Sequence, residues 1–418
     1  MSLLDKIRNK IKVFFNNSDG KKIIENFLSL SLIRVADFLL PLIVLPYLIT
    51  VLGVEKFGLT AFAAALVNYF LNITQYGFSL SAVRDLSKNQ DNPQRLEEIY
   101  NSVINTKFFL LILSALVFAL LIIIVPSFSE YYLLYVFSFG LVIGDVLFPK
   151  WFFQGVEQMR FITLINILFK LTFLILVFLF IKQESDFVYV PLLQSIGIIL
   201  GGLFSLYIIY KKYKIRYRLV RFAEIKAQLN LSFSSFVTLI VPTLYSNTSV
   251  FLLGVFTNNT LVGYLSGALR ISNAFSSFNA ILTRTFYPFV NKTKDSISKV
   301  NNVILLSGLL VSVLMFFTAR FTVSLILGLD MLKSIPLVMI LSLTPLLLAI
   351  RTVYGINYLL VKGRDKLYMN IALFSSLFGL VLAFICIPLF SFYGAAVVIV
   401  TAQLLYAVLS FIYAKKNK

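Results

Sequence analysis

Long apolar runs recur through most of the sequence, and they restrict the fold more than any other feature. A transmembrane helix needs about 20 mostly apolar residues, and twelve such runs follow one another along the 418 residues. Only 13% of the residues are charged and 59% are hydrophobic, whereas a soluble domain carries about 25% charged residues. A single globular core cannot bury that much apolar surface. The sequence therefore predicts an all-α, polytopic membrane protein and excludes a soluble enzyme.

The twelve predicted spans form two sets of six, separated by a basic linker. The first six lie near 26–50, 57–82, 103–125, 131–152, 161–181 and 187–210, and the second six near 230–253, 260–289, 303–327, 334–360, 367–389 and 392–413. We predict an N-terminal amphipathic segment, a first six-helix lobe, a linker and a second six-helix lobe, with bounds 1–24, 25–210, 211–229 and 230–418.

Short similar segments suggest that the two sets are an internal repeat. Leu-Gly-Val at 52–54 recurs at 253–255, and Gly58 has a counterpart in Gly263. Matches this short are also common by chance in a sequence rich in Leu and Gly. Two halves of six spans each would be parallel repeats, and in transporters of that kind the substrate lies between the halves near the membrane midplane.

Lysine and arginine residues lie mostly on one side of the predicted spans. The loops on the side of the termini carry 28 of them, and the opposite loops carry three, at Lys56, Lys182 and Lys333. Because excess positive charge stays in the cytoplasm, both termini are predicted to be cytoplasmic. The amphipathic pattern of residues 3–15 suits the same membrane surface. The net charge of +19 thus reflects topology, and no nucleic-acid partner is predicted.

The composition also excludes several kinds of chemistry. The chain has no His, which removes the usual acid–base group and the commonest metal ligand. Its one cysteine, Cys386, cannot form an intrachain disulfide or a cysteine zinc site. The sequence contains no Walker A motif, so this chain is not expected to hydrolyse ATP. We therefore predict no enzyme activity, no catalytic residues, no metal site and no cofactor.

Charged residues inside the spans are the strongest functional candidates, because each costs about 2.5–3.5 kcal/mol at the centre of a lipid-facing helix. We single out Arg34 and Asp37 in span one, Asp145 in span four, Lys170 in span five, Arg270 in span eight and Arg351 in span ten. Together they leave an interior excess of +2. Arg34 and Asp37 could simply neutralise each other. Lys170 could pair with Asp37 or Asp145. Arg270 has no acidic residue in its span, which favours an anionic ligand.

Polar residues share a helical face with some of these charges. Span two carries Asn68, Asn72 and Gln75 on one face, and span eight carries Asn273 with Arg270. Spans one, two, seven and eight, with five and ten, are predicted to line a wet cavity, while spans three, nine and twelve are predicted to face lipid. Arginine suits phosphate oxygens, and amide and hydroxyl groups suit sugars. An amphiphile with a lipid tail, a phosphate and a glycan would match the charged and polar groups of this lining.

Several segments resemble the polysaccharide-exporter branch of the MOP superfamily. They are Asn-Phe at 26–27, Leu-Gly-Val-Glu-Lys-Phe-Gly at 52–58 and Gln-Tyr-Gly-Phe at 75–78 with Arg84. The most specific is Trp-Phe-Phe-Gln-Gly-Val-Glu-Gln-Met at 151–159, which resembles the Trp-Phe-Phe/Leu-Gln-Gly-x-Glu-x-Met segment of Wzx-type O-antigen flippases. Length, span count and the orientation of the termini agree over essentially the whole chain.

The resemblance implies twelve helices in two pseudo-symmetric six-helix lobes around a central cavity. It also implies transport of an undecaprenyl-pyrophosphate-linked oligosaccharide, the O-antigen repeat unit, from the cytoplasmic to the periplasmic face of the bacterial inner membrane by alternating access. In related lipid II flippases, arginines on spans one, two and eight are thought to hold the pyrophosphate, which by analogy assigns Arg34 and Arg270. Span two lacks a mid-span arginine here and thus departs from that pattern.

The remaining candidates complete this hypothesis. We expect Lys170, Arg351 and the span-two and span-eight amides to bind substrate, and Asp37 and Asp145 to bind a coupling H⁺ or Na⁺. The polymerase and the chain-length regulator of the same pathway are expected partners. The alternatives are a multidrug exporter of the same superfamily, which would favour an acidic cavity, a membrane glycan polymerase or ligase, and a passive channel or scaffold.

Overall fold

The computed structural model describes residues 18–290 and 294–416, with side-chain surroundings for 43–277 and 300–416. The predicted N-terminal amphipathic segment therefore falls mostly outside the described residues. Every regular element in the described ranges is helical. The α-helices of the first half are α1 (Ser18–Gln75), α2 (Phe78–Ser87), α3 (Pro93–Ile124), α4 (Pro126–Ser129), α5 (Tyr132–Leu147), α6 (Lys150–Gly155), α7 (Met159–Phe180) and α8 (Tyr189–Tyr213).

The second half is built in the same way. Its α-helices are α9 (Phe222–Ile240), α10 (Thr243–Phe256), α11 (Asn259–Val290), α12 (Lys294–Phe317), α13 (Ala319–Thr322), α14 (Ile335–Leu341), α15 (Thr344–Ile350) and α16 (Asp365–Lys416). Short 3-10 helices occupy Glu184–Val188 and Leu329–Ser334, and π-helical segments occupy Val323–Leu327 and Arg351–Leu360.

Two long helices are each broken at a single residue. Gly53 in α1 has φ 70° and ψ 167°, and Ser391 in α16 has φ 54° and ψ −134°. The positive φ at position 53 suits glycine, which has no Cβ to clash with the backbone. Each break coincides with a turn that the sequence predicts between two spans. α1 and α16 therefore each contain two of the predicted spans.

The apolar helices bear out a polytopic membrane protein. Within the described ranges, eight helical segments are long and apolar enough to cross a membrane, and a ninth is added if α9 and α10, which bend by 60° at their junction, form one span. The bend lies at Pro242, which caps α10. Proline fits this position because it has no backbone N–H to donate within a preceding helical turn.

The two halves meet through α1 and α11. The part of α1 that follows the break at Gly53 is its second segment. At the start of this second segment, a Cβ on Gly58 would lie 1.7 Å from the backbone oxygen of Asn259. A Cβ on Gly263 would lie 2.5 Å from the backbone oxygen of Val54. These two glycines are the pair matched by the suggested sequence repeat. Only residues without a side chain allow the two backbones to approach this closely.

The halves also touch near the C-terminal end of the second segment of α1. The Tyr76 and Phe236 rings stack with centroids 4.6 Å apart, and the hydroxyl oxygens of Ser81 and Ser232 are 2.8 Å apart. Gly77, with φ 76°, lets the chain pass directly against Phe236. The halves are thus in close contact at both ends of this segment, and a cavity lies between them along its length.

Candidate functional site

A cavity of about 340 Å³ lies between the two halves. Its walls come from the second segment of α1, from α10 and α11, from the α14–α15 region and from the second segment of α16. Its polar lining includes Asn68, Asn247, Ser266, Arg270, Asn273 and Gln403. These helices contain predicted spans two, seven, eight, ten and twelve. Span five contributes no residue to this cavity.

Arg270 provides the positive charge of the cavity. Its side chain is accessible from the cavity, and its Cζ lies 5.4 Å from the centroid of the Phe57 ring, a distance at which a cation is attracted to the aromatic face. Among the described side chains, no carboxylate lies within ion-pair distance of Arg270. The guanidinium is therefore placed to bind an anion that enters the cavity.

Amide groups from both halves surround this charge. The Asn68 Nδ2 donates to Asn247 Oδ1 at 3.4 Å, and the Asn247 Nδ2 donates to the Ala65 carbonyl at 2.9 Å. Asn72 lies one turn further on and donates to the Asn68 carbonyl at 2.7 Å. Asn68 and Asn273 are both exposed to the cavity. Exposed amides of this kind offer both donors and acceptors to sugar hydroxyl groups.

Gln403 is a cavity residue that the sequence analysis missed. It lies in the second segment of α16, the span predicted to face lipid, and that span also lines the cavity through Ile399. Gln403 and Arg351 both lie near the Tyr245 hydroxyl. The available signal was a lone amide in an apolar run, which is costly in lipid unless it has a polar neighbour.

Asp145 lies in a buried charge cluster and not in the cavity lining. Its carboxylate oxygens are 3.3 Å from Lys107 Nζ and 3.5 Å from Lys150 Nζ. The Gln75 Nε2 donates to the same carboxylate at 3.3 Å. Lys107 also donates to the backbone oxygen of Asp145 at 3.0 Å, and its side chain is only 3% exposed. Lys107 is a lone charge within an apolar span, and it was not among the predicted site residues.

Two other predicted residues, Lys170 and Arg351, lie apart from the cavity, and two more fall outside the described side chains. Lys170 is half-buried on α7 and is not part of the cavity lining. Arg351 lines a separate cavity of about 510 Å³ in the second half, where its Cζ is 5.1 Å from the Tyr406 ring centroid. Arg34 and Asp37 lie on the helical backbone of α1, but their side chains fall outside the described residues.

A family model described as "Polysaccharide biosynthesis protein" matches residues 23–294. The chain belongs to this family. The match covers more than half of the sequence, and it includes the Trp-Phe-Phe-Gln-Gly segment and the turn at 52–58. The resemblance to the polysaccharide-exporter branch is thereby confirmed.

Two curated relatives of this family member extend the match to nearly the whole chain. A protein of Escherichia coli (strain K12) is 28% identical over 413 residues, which covers 96% of this chain and 99% of the relative. A protein of Shigella dysenteriae is 26% identical over 380 residues, covering 89% of this chain and 94% of the relative. Both carry the name "Putative O-antigen transporter". These relatives are named as transporters and not as enzymes.

Solved structures show the same fold at low sequence identity. The lipid II flippase MurJ in an inward closed conformation aligns with a TM-score of 0.67 and 16% identity, over 94% of this chain and 87% of that one. A MATE protein in its bent conformation aligns with a TM-score of 0.58 and 14% identity, over 97% of this chain and 96% of that one. At these identities the comparison establishes the fold alone.

Proposed function

We propose that this family member is a flippase that moves an undecaprenyl-pyrophosphate-linked oligosaccharide from the cytoplasmic to the periplasmic face of the bacterial inner membrane. The observation that carries the proposal is the cavity between the halves, where Arg270 faces open space among amides and no described carboxylate neutralises it. Arginine suits the pyrophosphate, and the amides suit the glycan. The names of the curated relatives favour an O-antigen repeat unit as the glycan.

We propose a topology of twelve spans in two six-helix lobes. In the described part of the chain, nine spans are counted when α9 and α10 are taken together. Treating α1 and α16 as two spans each adds two, and the 32-residue α11, whose polar face lowers its mean hydropathy, adds one. The contact between Gly58 and Gly263, which occupy matched positions in the suggested repeat, supports pseudo-symmetry about an axis between the lobes.

We propose that an ion gradient drives transport, with Asp37 and Asp145 as the residues that couple it. Asp145 already contacts Lys107 and Lys150. A proton or Na⁺ that binds its carboxylate would therefore weaken these lysine contacts. Such a change would alter how α5 packs against α3, and that packing change is the physical link from ion binding to lobe movement.

The cavity charge separates this proposal from the multidrug alternative. MATE structures share the fold, but a cationic drug would be repelled by Arg270. A passive channel would not explain the mid-span charges on separate helices, because each such charge costs free energy in the membrane.

Deletion of the gene tests the translocation step. We expect surface polysaccharide to be lost, and single undecaprenyl-linked repeat units to accumulate on the cytoplasmic face, because their synthesis continues without export. Lipid-linked glycans would be extracted and their sidedness determined by protection from an added glycosidase in intact spheroplasts. Single units that reach the periplasm but are not polymerised would instead support a polymerase. Normal polysaccharide with increased sensitivity to cationic drugs would support an exporter.

Replacing Gly58 with Val is expected to hold the lobes apart at the outer turn. The new side chain would meet the backbone of Asn259, which cannot move away without displacing α11. In a Cys386→Ser background with Ser266→Cys in the cavity, we expect faster labelling by an impermeant maleimide from the periplasm and reduced export. Glu55→Val on the same turn is the control, because Glu55 is exposed. Unchanged labelling would contradict a gate at this contact.

A further inference from the structure

The linker between α8 and α9 is held as an extended strip along α3. Asn101 Nδ2 donates to the Arg216 carbonyl at 3.1 Å, and the Arg218 backbone N–H donates to Asn101 Oδ1 at 2.9 Å. Asn105 Nδ2 donates to the Arg218 carbonyl at 2.9 Å and accepts from the Tyr217 hydroxyl at 2.9 Å. Both asparagines are buried. These paired contacts fix the linker backbone and not merely its ends.

The strip carries exposed positive charge. The side chains of Arg216, Arg218 and Arg221 are exposed. Among the described side chains, no carboxylate lies within ion-pair distance of Arg216 or Arg218. A basic loop is expected on the cytoplasmic side from topology alone. Topology does not require, however, that its backbone be fixed by buried amides.

An apolar groove of about 680 Å³ lies beneath this strip, between α3 and α8. We call it the linker groove, and it is lined chiefly by Ile104, Phe108, Phe109, Leu206, Ile209 and Leu219. Leu219 is 82% exposed and Phe222 is 64% exposed. Exposed apolar side chains between basic ones are typical of a segment that lies in a membrane interface.

We propose that the linker groove binds an anionic membrane phospholipid. One acyl chain fills the apolar groove, and the headgroup phosphate lies against Arg216 and Arg218. Hydrocarbon matches the apolar groove wall. An anionic headgroup matches Arg216 and Arg218, which are chain neighbours of the lining residues Tyr217 and Leu219; basic pockets between transmembrane helices bind such headgroups elsewhere. The site is separate from the central cavity, and the proposal holds whatever the transported substrate is.

The single tryptophan gives a direct test. Trp151 is the chain's one tryptophan, and its ring centroid is 6.0 Å from that of Tyr100, which lines the linker groove. The full-length protein would be reconstituted in phosphatidylcholine vesicles, and brominated phosphatidylglycerol or brominated phosphatidylcholine added at matched mole fractions. Bromine quenches indole fluorescence only at short range. We expect phosphatidylglycerol to reach half-maximal quenching at an about tenfold lower mole fraction, because of its attraction to the two arginines.

Two charge variants distinguish this site from general attraction to the basic surface. Arg216→Gln/Arg218→Gln is expected to remove the difference between the two lipids. Lys415→Gln/Lys416→Gln makes the same charge change at exposed residues of α16 and is expected to keep it. Equal quenching by both lipids in the unaltered protein, or a preference that survives in the arginine variant, would overturn the proposal. Relief of quenching by unlabelled undecaprenyl pyrophosphate but not by unlabelled phosphatidylglycerol would also overturn it, since the groove would then hold a polyprenyl tail.

Discussion

Arg270→Ala is expected to abolish surface polysaccharide while the protein stays in the membrane at its normal level. Arg270 is the charged residue of the described cavity lining, and the side chain contributes little to helix packing because it faces the cavity. A hydrogen bond to a charged group contributes about 1.5–3 kcal/mol, so losing the contact weakens pyrophosphate binding by about 10- to 150-fold. Gel analysis of surface polysaccharide in a complemented deletion strain, with an immunoblot of the membrane fraction, measures both quantities.

The matched variants separate charge from geometry. Arg270→Lys is expected to keep partial activity, because lysine preserves the positive charge but not the planar fork that binds two phosphate oxygens. Arg320→Ala is the control, since Arg320 is an exposed arginine on α13 outside the cavity lining. We expect it to behave as the unaltered protein. Full polysaccharide in Arg270→Ala would contradict the role of this residue as the pyrophosphate anchor.

Asp145→Leu is expected to destabilise the first half strongly. It leaves Lys107, whose side chain is 3% exposed, without its carboxylate partner. An unpaired buried charge of this kind costs about 3–5 kcal/mol. Lys107→Met is expected to cost less, because Asp145 keeps its contacts with Lys150 and Gln75. Thermal unfolding of the purified variants in detergent measures which of the two is less stable. Equal stability of the two variants would contradict this account of the cluster.

The double variant Lys107→Met/Asp145→Leu is expected to recover most of the lost stability, because both buried charges are removed together. Its transport activity then tests the proposed coupling role. We expect surface polysaccharide to remain absent although the protein is stable. Polysaccharide at the level of the unaltered protein would mean that Asp145 serves packing alone, and that coupling must be assigned elsewhere.

The span pattern shows how far local sequence information reaches. The breaks at Gly53 and Ser391 lie between the predicted spans, because turn position depends on nearby residues and apolar length. Arg270 and Asn273 of the predicted polar stripe line the cavity in the structure, since a polar helical face is costly against lipid. Gln403 was not predicted to line the cavity, because a single amide in an apolar run does not define a polar helical face.

Contacts between residues on different helices were harder to predict from the sequence than the spans themselves. Lys170 was considered as a partner of Asp145 from the sequence, but the structure pairs Asp145 with Lys107 and Lys150, and Lys107 is buried on another helix. Lys170 and Arg351 were grouped with Arg270, yet neither lines the cavity that Arg270 lines. In each case the residue type signalled an intramembrane charge, and the neighbour across the bundle determined what that charge contacts.

The membrane class, the helical architecture and a positive, amide-bearing interior could all be predicted from the sequence alone. These properties follow from hydropathy and helical periodicity, which act over one or two turns. Only the tertiary structure decided which charges are neutralised in a buried cluster, which one remains accessible in the cavity and how the linker is fixed on α3. Those outcomes depend on helix rotation and on contacts between different parts of the chain, 38 positions apart for Lys107 and Asp145 and 115 positions apart for Asn101 and Arg216. No local pattern encodes such contacts.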